Sequence, residues 1–134
     1  GFRQLIGEEM MEAYQNKTLE GIYASYVQAM KNDEEPVTFT EFHHDNATTT
    51  YEHRGLTNFK TSGVYIVRKD RMCYMYNDPG NVVGRFCFYV YERDNCYYHF
   101  STDEPLPVKS KDFDRWTSMA YRHEDADTCL PDIT

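Results

Sequence analysis

The sequence contains no apolar run that approaches the ~20 residues a membrane-spanning helix needs. Positive charge is scarce as well, because 14 Lys and Arg residues stand against 22 Asp and Glu and leave a net charge of −8. Nucleic acids and anionic membrane surfaces are bound through basic patches, which this composition does not favour. We therefore expect no membrane span and no nucleic-acid partner.

The usual motifs of catalytic and metal-binding sites are also missing. The chain has no CxxC, HxxxH or HExxH spacing, no GxSxG and no Gly-rich phosphate loop. His43 and His44 are adjacent, so on a strand they would point to opposite faces and could not share one ion. Glu41 and Glu52 could form a diagonal cross-strand pair about 7–8 Å apart, but we expect both to be solvated on a polar face. We predict a protein that is not an enzyme and that has no metal or cofactor.

Aromatic residues, in contrast, are abundant, with 12 Tyr and 8 Phe. Between residues 61 and 100, segments rich in aromatic and β-branched residues alternate with short turn-forming clusters, which is typical of an antiparallel meander. The predicted strands are 63–67, 71–76, 84–91 and 96–101. The predicted turns are Lys69-Asp70, 77–81 and 92–95.

Before the meander, apolar spacing predicts a helix over residues 5–14. Residues 18–30 suggest a strand, although a helix over 24–30 is an alternative. Residues 37–44 and 47–53 suggest a hairpin around a tight Asp45-Asn46 turn. In that register one face carries the more charged set, which we expect to face solvent: Phe39, Glu41, His43, Thr48, Thr50 and Glu52.

After the meander, residues 102–111 suggest a loop. Residues 112–121 suggest a short helix, because Phe113, Trp116 and Ala120 recur at helical spacing and Ser110 could cap it. The acidic tail from residue 123 should be disordered unless Cys129 holds it.

Together these elements predict one domain over residues 1–134, with a helix at 5–14, an antiparallel barrel at 18–101 and a C-terminal extension at 102–134. The expected fold is all-β: a small lipocalin-like barrel or strongly curved sheet of seven or eight strands, closed at one end by the helix. An α+β cystatin-like roll, with the helix in the concave face of the sheet, is the alternative.

The cysteines fit this meander. If the second turn is centred on Gly80, Cys73 lies opposite Cys87, where Cβ atoms about 4.5–5.5 Å apart are close to disulfide distance. Cys96 and Cys129 would then form the second pair, although four cysteines allow three connectivities and free thiols in a reducing compartment are the alternative.

Disulfides would place the protein in the periplasm or outside the cell. The chain begins at Gly1 without an initiator Met, which is compatible with a removed signal peptide.

One face of the meander is the candidate ligand site. In the predicted register the residues that share it are Tyr74, Phe86, Phe88, Val90, Tyr97 and His99. Such a face could line a ligand cavity or form a packed core in which Tyr hydroxyls bond to one another. His99 would be a lone titratable group on this surface, and burial would lower its pKa. The alternative is a core histidine satisfied by a neighbouring Tyr or a backbone carbonyl.

Several short motifs resemble a family of small secreted bacterial proteins catalogued as domain of unknown function 995. The matching segments are Gln15-Asn16-Lys17-Thr18-Leu19-Glu20-Gly21, Phe39-Thr40-Glu41-Phe42, Ser62-Gly63-Val64-Tyr65 and Met72-Cys73-Tyr74. Asn16 stands where the family tends to have Gly, and Tyr65 replaces its usual Trp. The resemblance implies export, a disulfide and a lipocalin-like layout, and it brings no known activity or catalytic residue.

The function expected from these observations is that of a non-enzymatic binding protein of the bacterial envelope, holding a small apolar or aromatic ligand in the barrel. The alternative is an interaction or inhibitor module whose acidic surface engages a basic protein partner. The first requires an internal cavity, whereas the second requires an exposed acidic patch around a packed core.

Overall fold

The computed structural model describes residues 1–77 and 84–133. Within them the chain forms nine strands, three short α-helices and two 3₁₀ segments. The strands are β1 (Arg3–Gln4), β2 (Thr18–Tyr23), β3 (Thr38–His43), β4 (Thr48–Arg54), β5 (Phe59–Val67), β6 (Met72–Asn77), β7 (Arg85–Arg93), β8 (Cys96–Ser101) and β9 (Ser118–Tyr121). The helices are α1 (Glu8–Tyr14), α2 (Tyr26–Lys31) and α3 (Ala126–Cys129), and the 3₁₀ segments are Ser110–Arg115 and His123–Asp125.

The strands β2 to β9 form a closed antiparallel barrel. Each pairs with the next along the chain, and β9 returns to pair with β2, while β1 adds to β7. Eight antiparallel strands joined in this order are the lipocalin-like layout. The all-β barrel is therefore confirmed, and the cystatin-like alternative does not describe this closed sheet.

The aromatic meander forms as predicted, although β5 begins at Phe59, four residues before the predicted 63–67, and β7 ends at Arg93, two residues after the predicted 84–91. Met72 pairs with Phe88 and Cys73 with Cys87, which is the register expected from a turn centred on Gly80. Cys73 and Cys87 form a disulfide, and so do Cys96 and Cys129. Most of the predicted 77–81 turn lies outside the described residues.

The register predicted for the β3–β4 hairpin is wrong by one residue. The loop is not a two-residue turn, because the His44 amide donates to the Thr48 carbonyl at 2.8 Å and three residues lie between them. Ala47 closes this loop with a left-handed φ of 68°, as in hairpins with a three-residue connection. Since side chains alternate along a strand, the shift places Thr49, Tyr51 and His53 of β4 on the face of Glu41, in place of the expected Thr48, Thr50 and Glu52. This face is then the more aromatic of the two.

The face of β3 that we expected in solvent therefore lies inside the barrel. Phe39, Glu41 and His43 are buried, together with Thr49 and Tyr51 of β4. Glu52 pairs with Thr40 on the outer face, so Glu41 and Glu52 do not form a pair.

The predicted helix at 112–121 is also wrong. Residues Ser110–Arg115 form a 3₁₀ segment, and Ser118–Tyr121 form β9, which completes the barrel between β8 and β2. The barrel consequently extends from Thr18 to Tyr121, beyond the 18–101 boundary expected from the sequence.

The N-terminal prediction holds in part. The helix ends at Tyr14 as predicted but begins at Glu8, three residues later than expected. The short strand β1, at Arg3–Gln4, precedes it. In the segment 18–30 the strand ends at Tyr23 and α2 follows, which was the stated alternative.

None of the helices in the described part of the chain is long and apolar enough to cross a membrane.

Both faces of β7, β8 and β9 are buried, in two separate clusters. The inner cluster contains Met10 and Tyr14 of α1, which pack against Leu19, Met72 and Val90 at one end of the barrel. The outer cluster is formed by the outward side chains of the strands and by the C-terminal segment that covers them. Its members include Tyr89, Tyr91, Tyr98, Phe100, Val108, Phe113, Met119, Tyr121 and Cys129.

Candidate functional site

The barrel encloses a cavity of about 330 Å³. Side chains from every strand of the barrel and from α1 line it, and most are aromatic. The residues are Tyr14, Leu19, Tyr23, Phe39, Glu41, His43, Tyr51, Phe59, Thr61, Tyr74, Tyr76, Gly84, Phe86, Phe88, His99, Ser118 and Ala120.

Exposure of the lining residues identifies the open end. Phe59 and Phe86, at the beginnings of β5 and β7, are 44% and 49% exposed. Tyr14 and Leu19, beside α1, are each 1% exposed. The interior is thus packed by α1 at one end and open at the other. The packed core and the ligand cavity, which are the two interpretations of the aromatic face, each describe one end of the barrel.

Small residues keep this space open. Ala120 and Ser118 of β9 face inward, where larger side chains would fill the cavity. Gly21 of β2 lies against the ring of Phe39, and a Cβ atom there would come within 2.0 Å of the ring. The far end of the ring can therefore occupy this position only because residue 21 has no side chain.

Four of the five predicted ligand-binding residues line the cavity: Tyr74, Phe86, Phe88 and His99. Tyr97 does not. It packs against the inner cluster, with its ring 5.5 Å from that of Tyr14 and so on the α1 side of the barrel.

His99 is fully paired inside the barrel. Its Nε2 lies 2.5 Å from the Tyr14 hydroxyl and its Nδ1 lies 2.7 Å from the Ser118 hydroxyl. Burial lowers the pKa of His99 to about 4, so the ring is neutral at pH 7. Because both nitrogens are already bonded, His99 acts chiefly as part of the packed end.

The main titratable group that sequence reasoning missed is Glu41. It lies on β3 between Leu19 of β2 and Tyr51 of β4, and it is only 5% exposed. The Tyr76 hydroxyl donates to Glu41 Oε2 at 2.7 Å. Burial raises the pKa of Glu41 to about 7, although the hydrogen bond from Tyr76 opposes the shift. Buried groups with perturbed pKa values in a cleft are candidates for function.

His43, which the sequence predicts on the solvent face of the hairpin, is buried beside Glu41 and only 1% exposed. It follows Glu41 by two residues on the same inward face, about 6.6 Å along the strand. Its Nε2 lies 2.8 Å from the Tyr74 hydroxyl, while its buried Nδ1 has no hydrogen-bond partner among the described residues. Burial lowers the pKa of His43 to about 3, so this ring is neutral as well.

Tyrosine hydroxyls form a polar belt near the open end. The hydroxyls of Tyr23 and Tyr51 lie 2.6 Å apart, and Tyr51 also bonds to His53 Nδ1 at 2.9 Å. Across the barrel the rings of Tyr74 and Tyr76 are parallel, with centroids 6.0 Å apart. The cavity therefore combines flat aromatic walls with a few fixed polar atoms.

The charge of the lining is one-sided. Among the described residues that line the cavity, none is Lys or Arg and Glu41 is the only Asp or Glu. In residues 1–77 and 84–133 there is also no group of three His, Cys, Asp or Glu side chains placed to hold a metal ion. The arrangement offers hydrogen bonds and one buried carboxyl to a ligand.

Two signals in the sequence could have pointed to Glu41 and His43. The pattern Phe39-x-Glu41-x-His43 alternates with threonines and Phe42, so both faces of β3 have mixed polarity and neither is clearly apolar. The second signal is the loop, because a three-residue connection over Asp45-Asn46-Ala47 places Glu41 opposite Tyr51, whereas a two-residue turn places it opposite Thr50.

Comparisons of the chain with family models, with curated proteins and with solved structures returned no match. The resemblance to the secreted bacterial family therefore stays a prediction.

Proposed function

We propose that this protein is a non-enzymatic binding protein that holds a small, largely apolar or aromatic ligand inside its barrel. The observation that carries the proposal is the cavity of about 330 Å³ with one open end. Ligand pockets commonly measure ~300–1,000 Å³, so this one suits a small molecule. A basic protein partner would not require such an interior.

The lining supports the same function. Ligand pockets usually have hydrophobic and aromatic walls with a few polar groups that fix orientation. Here Phe39, Phe86 and Phe88 supply apolar walls, while Glu41 and His43 supply the polar groups.

The disulfides support a location outside the cytoplasm, and we propose a periplasmic or secreted protein. All four cysteines are paired. Disulfides form and persist mainly in oxidising compartments.

The test is binding of N-phenyl-1-naphthylamine, a neutral apolar dye whose fluorescence rises in apolar surroundings. An added dye is needed because the single Trp, Trp116, packs against the outer cluster and would not sense the cavity. We expect saturable binding at one site. Fluorescence that rises without saturation would contradict the proposal.

A blocking variant locates the site. Thr61 is half-buried, lines the cavity and lies on β5 near the open end, so Thr61→Trp should fill the mouth and lower dye affinity about tenfold or more. Ser62 is the next residue and is exposed on the outer face, so Ser62→Trp is the matched control and should bind as the wild type does. Equal loss in both variants would place the dye elsewhere.

A further inference from the structure

The buried carboxyl is unusual for its lack of a basic partner. Glu41 is the only Asp or Glu with a buried side chain among the described residues. The neutral phenol of Tyr76 donates a hydrogen bond to it, and no Lys, Arg or His of the described residues lies within ion-pair distance of it. Buried acids are normally paired because leaving water penalises the charged form. A positive charge brought by a ligand would supply the missing partner.

The neighbouring histidines do not compete for this role. His43 and His99 have pKa values lowered to about 3 and 4, so both are neutral near pH 7. A ligand that carries a carboxylate would meet no positive side chain among the described lining residues and would face Glu41. The cavity therefore disfavours anions such as fatty acids.

The walls around Glu41 suit a cation as well. Tyr51 pairs with Glu41 across β3 and β4, and its ring lies 5.5 Å from that of Tyr76 and 5.6 Å from that of Phe39. Aromatic faces attract ammonium groups through their quadrupoles, most strongly where the site is desolvated. The net charge of −8 would also raise the local concentration of cations at the mouth.

We infer that the ligand is a small organic amine with an aromatic or apolar body, whose ammonium group pairs with Glu41 inside the tyrosine-lined cavity. This inference rests on the proposed function and specifies the ligand class of the same site. The aromatic body would pack against Phe86 and Phe88 of β7, and the ammonium would lie toward β3.

The test is calorimetric titration of the intact protein with three probes of similar size: phenethylamine, which is a cation, 2-phenylethanol, which is neutral, and phenylacetate, which is an anion. We choose pH 8, because Glu41, with a pKa of about 7, is then mostly ionised. We expect the amine to bind about tenfold or more tightly than the alcohol, and the anion to bind least.

Glu41→Gln should lower the affinity for phenethylamine about tenfold or more beyond any change in the affinity for 2-phenylethanol, so that the preference for the amine is lost. Glu52→Gln is the matched control, because Glu52 lies on the outer face and the same charge is removed without touching the cavity. A cooperative thermal unfolding transition in both variants, followed by circular dichroism, would show that both are folded.

An amine that binds no better than the alcohol would overturn the inference, and so would equal losses of amine affinity in Glu41→Gln and Glu52→Gln. In either case, dye binding that Thr61→Trp still blocks would leave the proposed function standing. If neither the dye nor any of the three probes binds, the proposed function fails and the inference fails with it.

Discussion

Glu41 shows how one residue position couples the interior of the barrel to pH. Its pKa is raised to about 7 by burial, so the folded protein keeps a proton that an unfolded chain releases near pH 4.5. A raised carboxyl pKa contributes stability at low pH that is lost as pH rises through the folded value. Between pH 4.5 and 7 this loss amounts to ~3 kcal/mol.

Replacing Glu41 with Gln should remove that pH dependence. We expect the free energy of unfolding of Glu41→Gln, measured by urea titration and taken relative to the wild type, to rise by ~3 kcal/mol between pH 4.5 and 8. His43 and His99 act in the opposite sense, since their lowered pKa values cost stability as pH falls below 6.5, but they do so in both proteins. The difference between the two proteins therefore isolates Glu41.

Glu52→Gln again serves as the control and should show no comparable trend, because Glu52 lies outside the barrel. A constant stability difference between Glu41→Gln and the wild type from pH 4.5 to 8 would mean that Glu41 is ionised at an ordinary pKa. The carboxyl would then have to be solvated.

Among the elements, α3 is the one that depends most on a covalent link. It spans four residues, Ala126–Cys129, and helices this short are not stable in water on their own. Cys129 joins it to Cys96 at the beginning of β8, and both cysteines are buried in the outer cluster. The link holds the C-terminal segment over the aromatic outer faces of β7 and β8.

Removing that disulfide with Cys96→Ala and Cys129→Ala should cost ~4 kcal/mol of unfolding free energy, because it closes a loop with a sequence separation of 33. Urea unfolding measures the loss, and limited proteolysis should cut first in the tail after residue 121. The double variant Cys73→Ala, Cys87→Ala is the comparison. Its disulfide has a sequence separation of 14, so its loss should cost ~3 kcal/mol of unfolding free energy and should leave the tail protected from proteolysis. A tail that stays protected without the Cys96–Cys129 bridge would contradict the argument.

Closure of the barrel is a property of the whole molecule. β9 pairs with β2 through contacts such as Glu20 with Tyr121, which are separated by most of the chain. It also supplies Ser118 and Ala120 to the cavity and Met119 to the outer cluster. Without β9, the edges of β2 and β8 would be left unpaired, and exposed edges promote association.

A chain that ends at Ser101 should therefore lose its cooperative thermal transition, followed by circular dichroism, and elute as aggregates in size-exclusion chromatography. A chain that ends at Leu130 keeps β9 and both disulfides and should unfold much as the complete chain does. A monomeric Ser101 product with an unchanged melting temperature would show that β9 is dispensable for the fold.

The sequence by itself was enough to predict the meander, the fold class and the Cys73–Cys87 pair. β6, β7 and β8 are bounded by clear turn residues, and their register follows from neighbours close in the chain. Asp94-Asn95 adopts positive φ values of 53° and 66°, as a two-residue hairpin turn between β7 and β8 requires. Local signals sufficed where the partners were local.

Only the tertiary structure decided which face of β3 is inside and where β9 lies. The extra loop residue Ala47 shifts the pairing by one, so Tyr51 and not Thr50 lies opposite Glu41. The closed barrel turns that shared face inward. Residues 112–121 have an apolar spacing that also fits a helix, but 118–121 become a strand because the unpaired edges of β2 and β8 lie on either side of them. Those edges come from strands distant in sequence, and backbone pairing across them outweighs the local preference of four residues.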